Sequence, residues 1–182
     1  MRDPTALRTL SSPNLPVRVA MVPVRTFLRL KSWQQPEAPI VLCGQGLPGQ
    51  VGQILGGAMR VQCIGPGDWL IRSREFSSSD LREQFEASPS MGGLCLVDLS
   101  DAFACFELDG FAARDVLSKG CGLDFHPQAF PVGRCARTRF AQIPTVVEHL
   151  NDSPCFDLCV PRSYSSYLHA WLMDSALEFQ GR

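Results

Sequence analysis

The stretch AMRVQCIGPGDWLIRSR, residues 58–74, does most to constrain the fold. Two β-rich runs flank Gly65-Pro66-Gly67-Asp68. Glycine supplies positive φ and proline fixes φ, so this quartet is turn chemistry between two strands. It predicts a β-hairpin. SSSDLREQFEAS follows directly and predicts a short helix, with Asp80 as N-cap, Glu83 three residues on, and Leu81 and Phe85 on one face. The chain echoes this unit near its end, where CFDLCVPRS runs into SYSSYLHAWLMDSALEF. Both strands end in an Arg/Ser pair and lead into a helix. In the second helix Tyr164, Tyr167, Leu168, Trp171, Leu172, Ala176 and Phe179 follow helical spacing, Ser163 is the expected N-cap, and Trp171 is expected in the core. The predicted fold class is α+β, built from two related strand-strand-helix units.

The remaining segments fit between these units. Residues 1–16, rich in Pro, Ser and Thr, predict a loose arm, and residues 17–182 a single domain. VRVAMVPVRTFLRLK is strand-like, with Pro23 confining it to an edge or splitting it in two. APIVLCGQGLP predicts a short strand entering a turn, and LCLVDLSDAFACFELDG two strands around Ser100-Asp101. FAARDVLSKG predicts a helix, with Gly120 at the left-handed C-cap position. GLDFHPQAFPVG is a loop; RCARTRFAQIPTVVEHL and CFDLCVPR are strands split by Asn151-Asp152-Ser153-Pro154.

Charge and composition narrow the partners. The formal net charge is -1, where a nucleic-acid binder would show a basic face or a high pI, so nucleic acid is not expected. No run of about 18 apolar residues exists to span a membrane. The first residues carry no apolar secretory stretch, which leaves the cytoplasm as the expected compartment. Lys31 and Lys119 are the only lysines; the other basic residues are arginines, better suited to bidentate pairs and interfaces. Base composition of the genome would give the same bias. The eight cysteines have no C-x-x-C pair, and a cytosolic chain of this size is expected to keep them as reduced, core-packed thiols.

Catalytic patterns are weak. His126, His149 and His169 sit at no metal-ligand spacing. Gly44-x-Gly46-x-x-Gly49 matches the dinucleotide fingerprint formally, but Pro48 interrupts it and no strand-loop-helix context surrounds it. There is no G-x-S-x-G nucleophile elbow. Cys121 follows a helix C-terminus, where the dipole disfavours a thiolate, while Lys119 would favour one.

Several segments together resemble the gamma subunits of heterotetrameric sarcosine oxidase. IGPGDWLI, with Gly65, Asp68 and Trp69, resembles that family's hairpin. Residues 97–147 resemble its central block: Asp98 and Ser100 in a strand pair, then Lys119-Gly120-Cys121, then Leu123, Asp124, Pro127 and Phe130, then Gly133, Cys135 and Thr138. RSYSSYLHAWLMDSA resembles its terminal helix and includes Arg162, Ser163 and Trp171. The matches are in order over roughly residues 60–180. The middle block is also distantly similar to the folate-binding aminomethyltransferase fold. A related folate-dependent iron-sulfur maintenance protein carries a longer KGC motif, of which this chain keeps only the first three residues.

The resemblance implies a non-catalytic gamma subunit, packed mainly against an alpha subunit and assembled with beta and delta subunits. The complex would oxidatively demethylate sarcosine to glycine, release hydrogen peroxide and pass the one-carbon unit to tetrahydrofolate. FAD, FMN, NAD, tetrahydrofolate and zinc would sit on the other subunits, with no cofactor, metal or catalytic residue on this chain. The alternatives are a free-standing folate-binding protein of the aminomethyltransferase type and a redox or metal protein using the cysteines.

Overall fold

A computed structural model describes residues 16–33, 40–42, 45–57, 59–86 and 93–179. The expected N-terminal arm lies outside them apart from Pro16. In chain order the strands are β1 (Arg18–Val22), β2 (Thr26–Ser32), β3 (Val41–Leu42), β4 (Gln45–Gly46), β5 (Ile54–Leu55), β6 (Met59–Gly65), β7 (Asp68–Ser73), β8 (Leu94–Asp98), β9 (Phe103–Asp109), β10 (Cys135–Phe140), β11 (Ile143–Asn151) and β12 (Cys155–Pro161). The helices are α1 (Ser78–Glu86), α2 (Ala113–Gly120) and α3 (Ser165–Leu177), with a 3-10 turn at Arg162–Tyr164 before α3.

The chain divides into two compact units. One runs from Pro23 to Asp101; the other joins the segment ending at Val22 to the segment beginning at Ala102. Each holds a five-stranded sheet, in the orders β5-β6-β7-β2-β8 and β10-β11-β12-β9-β1. The orders correspond strand for strand. A hairpin, β6-β7 or β11-β12, leads to a helix, and its second strand pairs antiparallel with β2 or β9. The edge beyond is β8, reached after α1, in one sheet. In the other it is β1, from the beginning of the chain. The two strand-strand-helix units expected from sequence are thus real at the level of topology. The run from Leu94 to Asp109 does form two strands, but β8 and β9 enter different sheets rather than pairing with each other.

Alternation of side chains builds each core. In the larger unit Val19, Phe106, Leu108, Val147, Phe156 and Leu158 line one sheet face, and α2 and α3 cover it with Val116, Leu117, Leu168 and Leu172. In the smaller unit Leu28, Leu30, Val61, Cys63, Trp69 and Ile71 meet Leu81 and Phe85 of α1.

Local signals are corrected in four places. Ser77, not Asp80, caps α1: the Asp80 N–H donates to Ser77 Oγ (3.2 Å) and the Asp80 carboxylate accepts the Ser77 N–H (3.1 Å). This is a capping box with Asp80 at its third position. Ser163 lies in the 3-10 turn, and Tyr164 precedes α3 without a side-chain cap. Gly120 is not left-handed; the residue after it, Cys121, is extended. A hairpin turn falls at Ala141 and Gln142, whose φ angles of 47° and 69° are those of a type I′ turn made without glycine.

Candidate functional site

The hairpin residues close the smaller unit. The register shifts between Cys63 and Gly65, a bulge that twists β6 just before the turn. Asp68, nearly buried, accepts two hydrogen bonds from Arg29 of the neighbouring strand, at 2.9 and 2.6 Å. That pairing raises the Arg29 pKa further, so the guanidinium stays charged. Trp69 lies in the core and its indole N–H donates to the Pro48 carbonyl at 2.8 Å. Asp98 and Ser100 tie the end of β8 to β2. The Ser100 N–H and hydroxyl both donate to Asp98 (2.9 and 2.6 Å), and Ser100 Oγ accepts the Phe27 N–H. Partial burial pushes the Asp98 carboxyl up, but hydrogen bonds from Ser100 and Ser78 and the charge of Arg82 outweigh it and hold Asp98 below the usual range.

A second group of motif residues converges where α2 meets α3. A side chain on Gly120 would meet Phe140 at 2.7 Å and Trp171 at 2.8 Å, so glycine is required by two aromatic rings rather than by φ. Those rings stack edge to face at 4.9 Å. Trp171 is therefore half-buried at this junction rather than in the centre of the core. The Gly120 carbonyl accepts the Ala141 N–H at 2.8 Å, and the Tyr167 hydroxyl donates to the Ala141 carbonyl. These bonds hold the turn that β10 and β11 need. Lys119 donates to the Ser175 carbonyl (3.1 Å), pairs with Glu178 and lies 4.6 Å from the Phe179 ring centroid. It thus satisfies the end of α3. Cys121 contacts the Thr138 hydroxyl at 3.3 Å. The Arg162 N–H donates to the Ala102 carbonyl, and Ser163 is exposed.

The Gly46-x-x-Gly49 half of the glycine pattern runs through β4 into a turn and β5, with no helix to receive a phosphate; Gly44 lies outside the described residues. Among the described residues no group of three His, Cys, Asp or Glu could hold a metal ion.

Two features escaped the sequence. His149 is buried between the rings of Phe156 (4.5 Å) and Phe130 (6.3 Å). Its Nε2 meets the Arg114 guanidinium at 3.2 Å and its Nδ1 the Phe130 carbonyl at 2.9 Å. Arginine only donates and a carbonyl only accepts, so the ring is neutral with its proton on Nδ1. Both nitrogens are used, and neither is left to serve as a base. Aromatic residues 19 and 7 positions away in sequence gave no local signal for this stack.

The second is a disulfide between Cys105 and Cys159, which overturns the expectation that all the cysteines are free thiols. The two face each other directly across β9 and β12. Their Cα atoms are 4.3 Å apart, close to the ~4.5 Å of a non-hydrogen-bonded antiparallel pair. Cys63, Cys95, Cys121, Cys135 and Cys155 take no part in a disulfide, and Cys43 lies outside the described residues. Burial first, then the charges of Glu107, Asp109 and Asp157, push the Cys155 thiol up to about 12. It is a packing group, not a nucleophile.

Residues 38–178 match the sequence profile of the sarcosine oxidase, gamma subunit family. The sarcosine oxidase subunit gamma of an Arthrobacter species is 34% identical over 141 residues, covering 75% of this chain and 66% of that one. That of Corynebacterium sp. strain P-1 is 33% identical over 139 residues, with the same coverage. The match therefore spans just under two thirds of the length of these relatives. Among solved structures, heterotetrameric sarcosine oxidase from Corynebacterium sp. U-96 superposes with a TM-score of 0.77 at 24% identity, covering 91% of this chain and 86% of that one. Aminomethyltransferase T of the glycine cleavage system from Bartonella henselae superposes with 0.57 at 14% identity, over 83% and 44%. At these identities the two structures establish the fold alone, which this chain shares with aminomethyltransferase T.

Proposed function

From the premise that this chain belongs to the sarcosine oxidase gamma subunit family, we propose that it is a non-catalytic accessory subunit of a heterotetrameric flavoenzyme. The complex oxidises sarcosine to glycine, with hydrogen peroxide and methylene-tetrahydrofolate as further products. FAD, FMN, NAD, tetrahydrofolate and zinc belong to the alpha, beta and delta partners, and alpha is the main contact.

One observation carries this reading: Asp68, Trp69, Asp98 and Lys119 spend their polar groups on other parts of this same chain. Asp68 is held by Arg29, Trp69 by Pro48, Asp98 by Ser100, and Lys119 by the end of α3. Gly120 is space for two rings. Such residues shape a scaffold, and function on a shared fold must be argued from groups that reach a ligand.

The test is purification from the native host through a tag on this chain, with an absorbance spectrum of the eluate. Partner chains with a yellow flavin spectrum, bleached by sarcosine without oxygen, are expected. A lone, colourless chain that binds tetrahydrofolate saturably would replace this reading with the free-standing folate-binding one.

A further inference from the structure

The open edge of the larger sheet is cationic and unneutralised. β10 is the last strand of its order, hydrogen-bonded to β11 on one side only. It carries Arg137 and Arg139, both exposed and two residues apart, so they share one face, and Arg134 lies just before it. None of the three has a carboxylate partner among the described residues; Arg139 donates to the Gln142 carbonyl, which leaves its charge uncompensated. The opposite edge of the same sheet behaves differently. On β1, Arg18 is neutralised within the sheet by Glu107 at 2.7 Å and Asp109 at 3.6 Å.

The register decides which backbone groups this edge offers. Phe140 and Ile143 close the two-residue hairpin and form a hydrogen-bonded pair. Alternation then makes Arg139/Pro144, Arg137/Val146 and Cys135/Glu148 non-hydrogen-bonded pairs. The N–H and C=O groups of Arg137 and Arg139 therefore point outward, to the side where no strand lies among the described residues.

We propose that β10 is a docking edge for an acidic, extended segment of a partner polypeptide, added antiparallel or parallel as a sixth strand with its carboxylates beside Arg137 and Arg139. Main-chain hydrogen bonds supply the affinity and the arginines supply the selection. A second copy of this chain is a poor occupant, because pairing two β10 edges sets arginine beside arginine, and like charges directly opposite are unfavourable. Edge charges often serve to repel any added strand. Here they carry one sign and no internal partner, so they repel basic and self edges and favour an acidic one. The proposal deepens the accessory-subunit reading and rests on it for the identity of the partner.

Two variants test the edge, one through charge alone and one through charge and backbone together. Arg137→Glu/Arg139→Glu reverses the charge. Arg137→Pro removes one outward N–H that the sheet does not use, which an edge strand tolerates. Arg74→Glu, an exposed arginine of the smaller unit, is the control. Each full-length variant is checked for an unchanged circular dichroism spectrum and melting curve, then tested for assembly with the flavin-bearing chains and for binding of a synthetic alternating Glu-Thr peptide. Both test variants are expected to weaken assembly and peptide binding at least tenfold, the control not at all, and wild-type peptide binding to fall as salt rises. Folded variants that assemble and bind peptide like wild type would overturn the proposal and leave the accessory reading intact. A wild-type chain that finds no partner yet binds the peptide through Arg137 and Arg139 would refute the accessory reading and uphold the edge. Binding neither would sink both.

Discussion

Gly120 shows how a single residue can serve a motif for a reason its position in sequence conceals. After a helix, a glycine reads as a left-handed cap; in the fold it is a gap filled by Phe140 and Trp171. Gly120→Ala should destabilise the chain by about 1–3 kcal/mol through overpacking, and Phe140→Leu should recover part of that loss in the double variant. Denaturant unfolding of the four chains measures the coupling; additive effects would place the rings elsewhere. Trp171, half-buried against the same ring, should cost about 2–3 kcal/mol when cut to alanine, less than a central core residue. Asp98 gives a pH prediction. Its folded pKa lies below the unfolded value near 3.9, so its contribution is present above about pH 4 and is lost as pH falls through the folded pKa. Asp98→Asn should therefore lose less stability than wild type on acidification from about pH 5 to 2. An equal loss in both would show that Ser100 and Ser78 do not favour the ionised carboxyl.

Elements were legible where the chain carries its own punctuation. Gly65-Pro66-Gly67-Asp68 announced β6 and β7, Pro23 divided β1 from β2, and the spacing of Leu168 and Leu172 located α3. What the chain hid are contacts between distant segments. Nothing local says that β8 and β9, separated by four residues, belong to different sheets, or that β1 completes a sheet otherwise made after Ala102. The turn at Ala141-Gln142 was hidden for another reason: neither residue favours positive φ, and the conformation is held by Gly120 and Tyr167 from outside. Gln142→Gly should relieve that strain and stabilise the chain by about 1 kcal/mol, measured by melting; destabilisation would mean that the glutamine is needed for more than its backbone. The cross-strand pair was hidden too, because 54 residues separate Cys105 from Cys159. Closing a loop of that length is worth about 4 kcal/mol in the chain-entropy account. The denatured, unreduced chain should therefore titrate with two fewer thiols than its eight cysteines, and Cys105→Ser/Cys159→Ser should melt lower. A full complement of thiols would return both residues to simple packing.

At the scale of the whole molecule, the sheet orders correspond between the two units, and the candidate site was legible only as a set of motif residues. The sequence located these residues without revealing which parts of the same chain they bind, because those contacts depend on which element lies beside which. Asp68, Asp98 and Lys119 look like functional groups in a linear reading and serve as fasteners in the fold. In the proposed reading, a chain built this way contributes shape and surface to an assembly whose chemistry lies on other chains. Native mass spectrometry of the complex isolated through a tag on this chain tests that claim most directly. The account predicts one copy of this chain together with alpha, beta and delta chains, and flavin mass that stays with those partners when the complex is dissociated in the gas phase. A flavin or folate retained on this chain alone, or a chain that flies without partners, would contradict it.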